Sequence, residues 1–328
     1  MACLAVSTSG SASVSTASVV LLLSASLHSR MYIYWSLTHS LLLLFLLFSS
    51  TPCSQAVLQP SLGDGCVNIF LDLGSNVGVQ VRKFFEPKKY TSQVSQIMEV
   101  FAERFGRDRR GPTNCVFSFE PNPKHTPQLQ RIETVYRALG YRHLHFPMAV
   151  SSENTTLTLL RAQNNQFDAD AHLIKNREDL QHQRLKAHVS RANTTVTATV
   201  VDFVEFLRVH VLARQLPTGM RGKGQVVIKM DIEGEEYNLL PHLITSGVLC
   251  QSTDLLLIEW HIRNSRWFLK GVLPLPIVKE KVVQLQKSMS MLLALSRPSC
   301  KTELRKIDDE SFSHDSLDTN PLPPLPRS

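Results

Sequence analysis

Charge is almost absent from the first 63 residues, where Arg30 is the only Lys, Arg, Asp or Glu. A segment so poor in charged residues does not form the solvated surface of an ordinary globular domain. This absence separates residues 1–60, interpreted as a leader with a linker, from the folded part of the chain. The whole chain has 328 residues, of which 43% are hydrophobic, and this is ample for a buried core.

The leader has the pattern of a secretory signal. Residues 41–48 form an apolar block, and small and turn-forming residues near Ala56 follow it, as at a signal-peptide cleavage site. Residues 31–48 are also long enough to remain in a bilayer as a signal anchor, and Met31 offers an internal start. The scarcity of arginine argues against a transit segment. We expect a protein of the secretory pathway that contacts the membrane only through an uncleaved leader.

Cysteine and histidine spacings typical of zinc sites are absent, as is any CxxC, which argues against a zinc finger. Four cysteines follow the leader, namely Cys66, Cys115, Cys250 and Cys300. In an oxidising lumen they are available for disulfides. Asn-Thr-Thr sequons at Asn154 and Asn193 agree with a lumenal location.

The chain also lacks aromatic residues interleaved with basic ones, so no nucleic-acid platform is predicted despite a net charge of +7. Most lysines and arginines are scattered along the sequence. The densest basic cluster, residues 103–111, is interpreted either as a solvated loop or as a contact for an anionic substrate.

After the leader, strand and helix patterns alternate, which predicts an α/β domain over residues 61–312. We expect a Rossmann-like, mostly parallel sheet of seven strands with helices on both faces and an antiparallel strand in a closing hairpin at residues 291–308. The polar stretch 161–194 is predicted to be a loop or a helical lid. The proline-rich residues 313–328 are predicted to be a disordered tail.

Two phosphate-binding motifs are missing from "FLDLGSNVG", residues 70–78: it has neither G-x-G-x-x-G nor the Lys-Ser/Thr end of a P-loop. A pyrophosphate ligand is therefore not favoured. Gly74 and Gly78 would let the backbone approach a ligand closely. Asp72 would repel phosphate but suits an amino group or hydroxyls.

Asp72, Glu120 and Asp231 each follow an apolar strand pattern, and the C-terminal ends of parallel strands are where open α/β sheets bind ligands. S-adenosylmethionine fits such a site, because it carries an ammonium, a sulfonium and a ribose diol but no phosphate. Glu120 is placed to accept both ribose hydroxyls.

Five segments resemble, in order, the motifs of the FkbM-type methyltransferases, a branch of the class I S-adenosylmethionine-dependent enzymes. The segments are "FLDLGSNVG", "FSFEPNP", "TVVDFVEFL", "IKMDIEGEEYNLL" and "LLLIEWH", and together they span about residues 66–262. The later "CKTELRKIDDESFSHD" is similar to the ending of eukaryotic members.

The resemblance implies a division of the site between cofactor and acceptor. The cofactor contacts it implies are Asp72, Gly74, Asn76 and Gly78 around the methionine part, Glu120 on the ribose and Asn122 near the adenosine. Asp231 would face the methyl group and the acceptor, with Glu233 beside it. The long first crossover, the leader and residues 161–194 depart from the family pattern and leave the acceptor open.

Motifs for base N-methylation, NPPY and DPPY, are absent, so methylation of a hydroxyl on a glycan, lipid or small metabolite is predicted. A hydroxyl must lose its proton, and Asp231, Glu233 and His261 are the candidate catalytic bases. Asp231 and Glu233 alone do not form an octahedral magnesium set, so no metal is predicted.

Two other functions remain open. A methyltransferase fold that has lost turnover would act as a lumenal binding protein. A nicotinamide-dependent oxidoreductase would share the sheet but lacks its glycine-rich turn and a Tyr/Lys pair.

The strand order of class I enzymes also bears on the cysteines. Cys66 and Cys115 precede the first and second strands, which are neighbours in that order, so we expect these thiols to lie side by side, where an oxidising lumen would allow them to pair. Cys250 and Cys300 are expected at opposite ends of the sheet, unlinked, because a closing hairpin would reverse the chain between them.

Overall fold

The computed structural model describes residues 60–91, 95–161, 171–174, 194–220, 222, 224–261, 275–295, 299–309 and 315–325. The chain separates into two compact units, Met1–Leu58 and Gln59–Ser328, and all described residues belong to the second. The predicted leader lies outside the described residues, except for Pro60. No helix in the described ranges is long and apolar enough to cross a membrane.

The described residues of the second unit form two sheets. Their strands are β1 (Asn68–Leu73), β2 (Asn114–Phe119), β3 (Arg142–Phe146), β4 (Ala149–Ser151), β5 (Thr155–Arg161), β6 (Ala171–Ile174), β7 (Thr194–Asp202), β8 (Val226–Met230), β9 (Leu255–Ile258) and β10 (Glu303–Lys306). Strands β2, β8 and β9 are buried at every residue, as expected for parallel strands covered on both faces.

The main sheet has six strands in the order β10-β9-β8-β1-β2-β3, and every neighbouring pair is parallel. The chain moves outward from β1 through β2 and β3 on one side. It then returns to the centre and moves outward through β8, β9 and β10 on the other. The order therefore reverses between β1 and β8, and such a reversal leaves a crevice beyond the C-terminal strand ends.

This sheet differs from the predicted one at its closing strand. Among the described residues it has six strands, and β10 is parallel to β9, where an antiparallel hairpin was expected. The reason is that residues 291–295, interpreted as one arm of the hairpin, belong to a helix, Leu275–Leu295. A helix that connects two strands acts as a crossover, and a crossover brings the chain back in the parallel direction.

Helices cover both faces of the main sheet. They are α1 (Val79–Phe85), α2 (Gln96–Phe105), α3 (Thr126–Ala138), α4 (Phe203–Phe206), α5 (Glu236–Thr245), α6 (Val248–Ser252) and α7 (Leu275–Leu295), with a 3₁₀ turn at Pro87–Tyr90 and a π segment at Leu207–Leu212. Alternate residues of β1 enter different apolar layers. Phe70 packs with residues of α1–α3, whereas Leu71 packs with residues of α4–α7.

The second sheet has the order β4-β7-β5-β6, with β5 antiparallel to β6 and β7. The segment "YRHLHFPMAVS" divides at Pro147 into β3 and β4, which lie in different sheets. Proline lacks the N–H that a central strand needs. Strand β6 lies within the predicted loop or lid at 161–194, most of which is outside the described residues.

Both cysteine pairs are disulfides. The predicted proximity of Cys66 and Cys115 is confirmed, and the two form a disulfide with Cα atoms 5.7 Å apart. The expectation that Cys250 and Cys300 are unlinked is wrong, because they form a second disulfide with Cα atoms 4.6 Å apart. Cys250 precedes β9, and Cys300 precedes β10. Since these strands are parallel, both cysteines lie at the N-terminal edge of the sheet.

A C-terminal strap, defined here as residues 307–309 and 315–325, lies against α1, α2 and the 3₁₀ turn. Of the predicted disordered tail, residues 313–328, the structure describes 315–325, and these residues make contacts with the folded domain. Ile307 is buried, and Leu317 and Leu322 pack against the apolar layer of α1–α3. Asp309 accepts a hydrogen bond from Lys83 at 3.0 Å. Buried cations of α1 thus hold the strap in place.

Asp315 makes the central polar contact of the strap. Its carboxylate pairs with the buried guanidinium of Arg82 and accepts a hydrogen bond from Tyr90 at 2.7 Å. We expect Asp315→Ala to lower the free energy of unfolding in urea by roughly 2 kcal/mol, because Arg82 stays buried but keeps its pairing with Glu86. Asp318→Ala, at an exposed position of the strap, is the matched control. Equal stability of the two variants would contradict the prediction.

Candidate functional site

The three acids predicted at strand ends lie at one edge of the main sheet. Asp72 is the fifth residue of β1, Glu120 follows β2, and Asp231 follows β8. Because β1 lies between β2 and β8, all three lie at the C-terminal edge beside the reversal of strand order. A ligand site is expected at this place in an open parallel sheet.

The loop after β1 is shaped by close backbone contacts. Gly74 has φ +78°, and a Cβ there would lie 1.8 Å from the carbonyl oxygen of Asp231. Gly78 has φ +87°, and a Cβ there would come within 2.9 Å of side-chain carbons of Leu129 and Ile132. The expectation that both glycines contact a ligand stays a prediction. Gly74 lets the loop approach Asp231, and Gly78 lets it pack on α3.

Asp72 is fully buried, and neither of its carboxylate oxygens has a hydrogen-bond partner in the structure. The ammonium of Lys229 lies 3.8 Å from Oδ1, beyond hydrogen-bond distance. Burial raises the pKa of Asp72 to about 6, and the charge of Lys229 offsets only part of that increase. An unsatisfied buried carboxylate is costly, and such a group is a candidate for contact with a ligand.

Glu120 connects the loops that follow β1 and β2. Its Oε2 accepts the backbone N–H of Asn76, and its Oε1 accepts that of Asn122, both at 2.8 Å. Burial raises the pKa of Glu120 to about 7, against the lowering effect of these hydrogen bonds. Each oxygen retains a lone pair that can accept from a ligand hydroxyl.

The two asparagines beside Glu120 are also placed in the backbone turns. Asn76 has a positive φ of 49°, and its buried Oδ1 has no hydrogen-bond partner in the structure. Asn122 is fully buried, and its Oδ1 accepts the N–H of Lys124 at 3.1 Å. Asn122 therefore shapes its own turn, whereas the amide oxygen of Asn76 remains a candidate ligand contact.

Lys229 is a site residue that the sequence analysis missed. Its ammonium donates to Asp231 Oδ2 at 2.7 Å and to the carbonyl of Gly74 at 3.1 Å. Burial lowers the pKa of Lys229, but the carboxylates of Asp231 and Asp72 outweigh that effect and raise it. A lysine within the otherwise apolar "VVIKM", two residues before Asp231, was the available signal.

Glu236 is the second residue missed, and it orients the predicted base His261. It is fully buried, and its two oxygens accept the N–H groups of Ile232 and Gly234 at 2.8 Å. Oε1 also lies 2.9 Å from Nδ1 of His261. Four acids in "DIEGEE" follow β8, and their order along the chain does not identify the one that turns inward.

The structure brings the three predicted catalytic residues together. Nε2 of His261 lies 3.5 Å from Asp231 Oδ1 and 3.7 Å from Glu233 Oε2. One ligand atom from each residue can be chosen so that all lie within 4.8 Å of one another. Glu233 reaches this position with a positive φ of 55°.

The environment of His261 changes the role expected for it. Burial lowers the pKa of His261, but the hydrogen bond and charge of Glu236 and the other nearby carboxylates outweigh it and raise the pKa to about 10. His261 therefore carries a proton at neutral pH when no other cation is bound. In that form it cannot accept a proton, so Asp231 and Glu233 are the better candidates for a general base.

Chemically, this edge of the sheet can bind cations and hydroxyl groups. Carboxylates lie on both sides of the β1/β8 crevice, and Glu120 faces the loop after β1. Comparison of the chain with models of protein families, with curated proteins and with solved structures finds no match.

Proposed function

We propose that the chain is a class I, FkbM-type methyltransferase of the secretory pathway with a Rossmann-like domain. It would use S-adenosylmethionine to methylate a hydroxyl of a glycan, lipid or small metabolite. The observation that carries the proposal is the buried carboxylate of Asp72, which has no hydrogen-bond partner among the described residues and lies beside the reversal of strand order. The two disulfides agree with an oxidising compartment.

The residues present fit such a ligand. Asp72 offers two oxygens to an ammonium, and Glu120 offers one lone pair on each oxygen to a ribose diol. When bound, the cofactor would supply a methyl group on a sulfonium, whose sulfur would keep the electron pair of the broken C–S bond as the acceptor oxygen gained the methyl carbon. Asp231 or Glu233 takes the proton of the acceptor hydroxyl.

Binding of S-adenosylhomocysteine tests this proposal. We expect titration calorimetry to give micromolar affinity, and we expect Asp72→Asn to weaken it roughly 10- to 100-fold by removing charge-assisted hydrogen bonds to the ligand ammonium. Asp254→Asn is the control, because Asp254 lies at the opposite edge of the same sheet and caps the N–H of Val226.

Other results would redirect the proposal. Stabilisation by NAD and not by S-adenosylhomocysteine would replace it with oxidoreduction, since a ligand stabilises the native state that binds it. Equal affinity of the Asp72→Asn variant and the wild type would remove Asp72 from the site. Binding without methyl transfer to any hydroxyl acceptor would favour a binding protein.

A further inference from the structure

We propose that Asp231, Glu233 and His261 form a binding site for a divalent first-row transition-metal ion, with Mn²⁺ and Zn²⁺ as the best-matched ions. Sequence reasoning predicted no metal, because it considered Asp231 and Glu233 alone. The fold adds a nitrogen ligand from the end of β9, and one ligand atom from each residue lies within 4.8 Å of the other two. A single ion between them reaches all three after small side-chain movements.

His261 is held as metal-binding histidines are usually held. Its Nδ1 lies 2.9 Å from the fully buried carboxylate of Glu236, and its Nε2 faces Asp231 and Glu233. A carboxylate on the far nitrogen fixes the ring and makes the near nitrogen a better ligand. Two backbone N–H groups hold Glu236 itself, so the imidazole is oriented by a rigid neighbour.

The charge around these ligands favours an added cation. Five carboxylates lie within 3.8 Å of Lys229 or His261, namely those of Asp72, Asp231, Glu233, Glu236 and Glu259. The ammonium of Lys229 pairs with Asp231 and lies 3.8 Å from Asp72, so carboxylates outnumber it around the three ligands. The fully buried Asp72 next to Lys229 has no hydrogen-bond partner in the structure and is independent of the three ligands.

The ligand types select the ion. One imidazole and two carboxylates suit Mn²⁺ and Zn²⁺ better than Ca²⁺ or Mg²⁺, which prefer oxygen alone. Nε2 of His261 would bind the ion as an unprotonated nitrogen. Oδ2 of Asp231 continues to accept the hydrogen bond from Lys229, and Oδ1 binds the ion.

Three protein ligands leave coordination positions for water or, if the proposed methyl transfer is correct, for the acceptor hydroxyl, whose pKa the ion would lower.

Titration of the full chain, stripped with a chelator, with MnCl₂ or ZnCl₂ tests the site. We expect one ion per chain at micromolar or tighter affinity, and a spin-echo signal from a directly bound ¹⁴N nucleus in the Mn²⁺ complex. His261→Gln should remove that signal, and Asp231→Asn and Glu236→Gln should each weaken binding 10- to 100-fold. His242→Gln, a histidine of α5 outside the cluster, is the matched control.

Circular dichroism of each variant separates loss of a ligand from loss of the fold. Absence of binding to the folded wild-type chain would overturn the proposal, as would affinities unchanged in both His261→Gln and Asp231→Asn. S-adenosylhomocysteine is titrated separately, with the chelator present. Metal binding without S-adenosylhomocysteine binding would support the metal site and contradict the methyltransferase proposal. S-adenosylhomocysteine binding without metal binding would support the methyltransferase proposal and contradict the metal site.

Discussion

Replacing Lys229 with methionine is expected to lower the free energy of unfolding at pH 7.5 by about 3–5 kcal/mol. Methionine preserves most of the length of the side chain but removes the ammonium between Asp72 and Asp231. The carbonyl of Gly74 loses its donor as well. The cost is large because Asp72 is fully buried and would be left without the cation that partly compensates its charge.

Urea denaturation at two pH values separates the charge effect from packing. At pH 5 Asp72 is largely protonated in the wild type, so the difference between Lys229→Met and wild type should shrink. In the Asp72→Asn background, Lys229→Met should cost less stability than it does in the wild type. Lys301→Met is the control, because that side chain is 72% exposed and contacts Asp254 at the other sheet edge. A loss that is the same at both pH values would show that packing, and not charge, makes Lys229 important.

The placement of Asp72, Glu120 and Asp231 could be predicted from the sequence, because an acid after an apolar run marks the end of a parallel strand. The proximity of Cys66 and Cys115 was predictable for the same reason, since both lie near the N-terminal ends of β1 and β2, which are neighbouring parallel strands. These predictions depend on the apolar strand patterns in the sequence and on the rule that neighbouring parallel strands run in the same direction. They do not require knowledge of any side-chain contact.

The features that could not be predicted depend on contacts distant in sequence. Glu236 pairs with His261 across 25 residues, and only the packing of α5 against the end of β9 brings them together. The direction of β10 depends on whether residues 291–295 are helix or strand, and a short apolar run does not distinguish the two. That single error also separated Cys250 from Cys300 in the prediction.

Two acids of the site, Asp72 and Glu120, are buried where their ionised forms are poorly solvated. Burial raises the pKa of both Asp72 and Glu120. A raised pKa means that the ionised carboxylate is less stable in the folded protein than in the unfolded chain. The packing of the surrounding core must compensate for this loss of free energy. Groups of this kind are typical of functional sites, where stability is lost so that a ligand can be bound.

Asp72→Asn is therefore expected to stabilise the ligand-free protein at pH 8 by about 1–3 kcal/mol. Folding raises the pKa of Asp72 from 3.8 to about 6, so the native state holds the proton more tightly than the unfolded chain does. The contribution of this acid to stability is therefore fully present only at pH values below its unfolded pKa. That contribution is lost as the pH rises through about 6. At pH 8 the ionised Asp72 thus costs roughly 3 kcal/mol, and asparagine avoids most of this cost while still leaving a buried polar group.

The pH profile of stability, measured in chemical denaturation with both disulfides intact, checks the sign. The gain from Asp72→Asn should be largest at pH 8 and should disappear near pH 4, whereas Asp254→Asn should not stabilise at either pH, because Asp254 has partners in the backbone and in Lys301. Destabilisation by Asp72→Asn at pH 8 would mean that the carboxylate is a structural partner of Lys229. Greater stability together with weaker binding of S-adenosylhomocysteine would identify Asp72 as a ligand-binding group maintained at the expense of the fold.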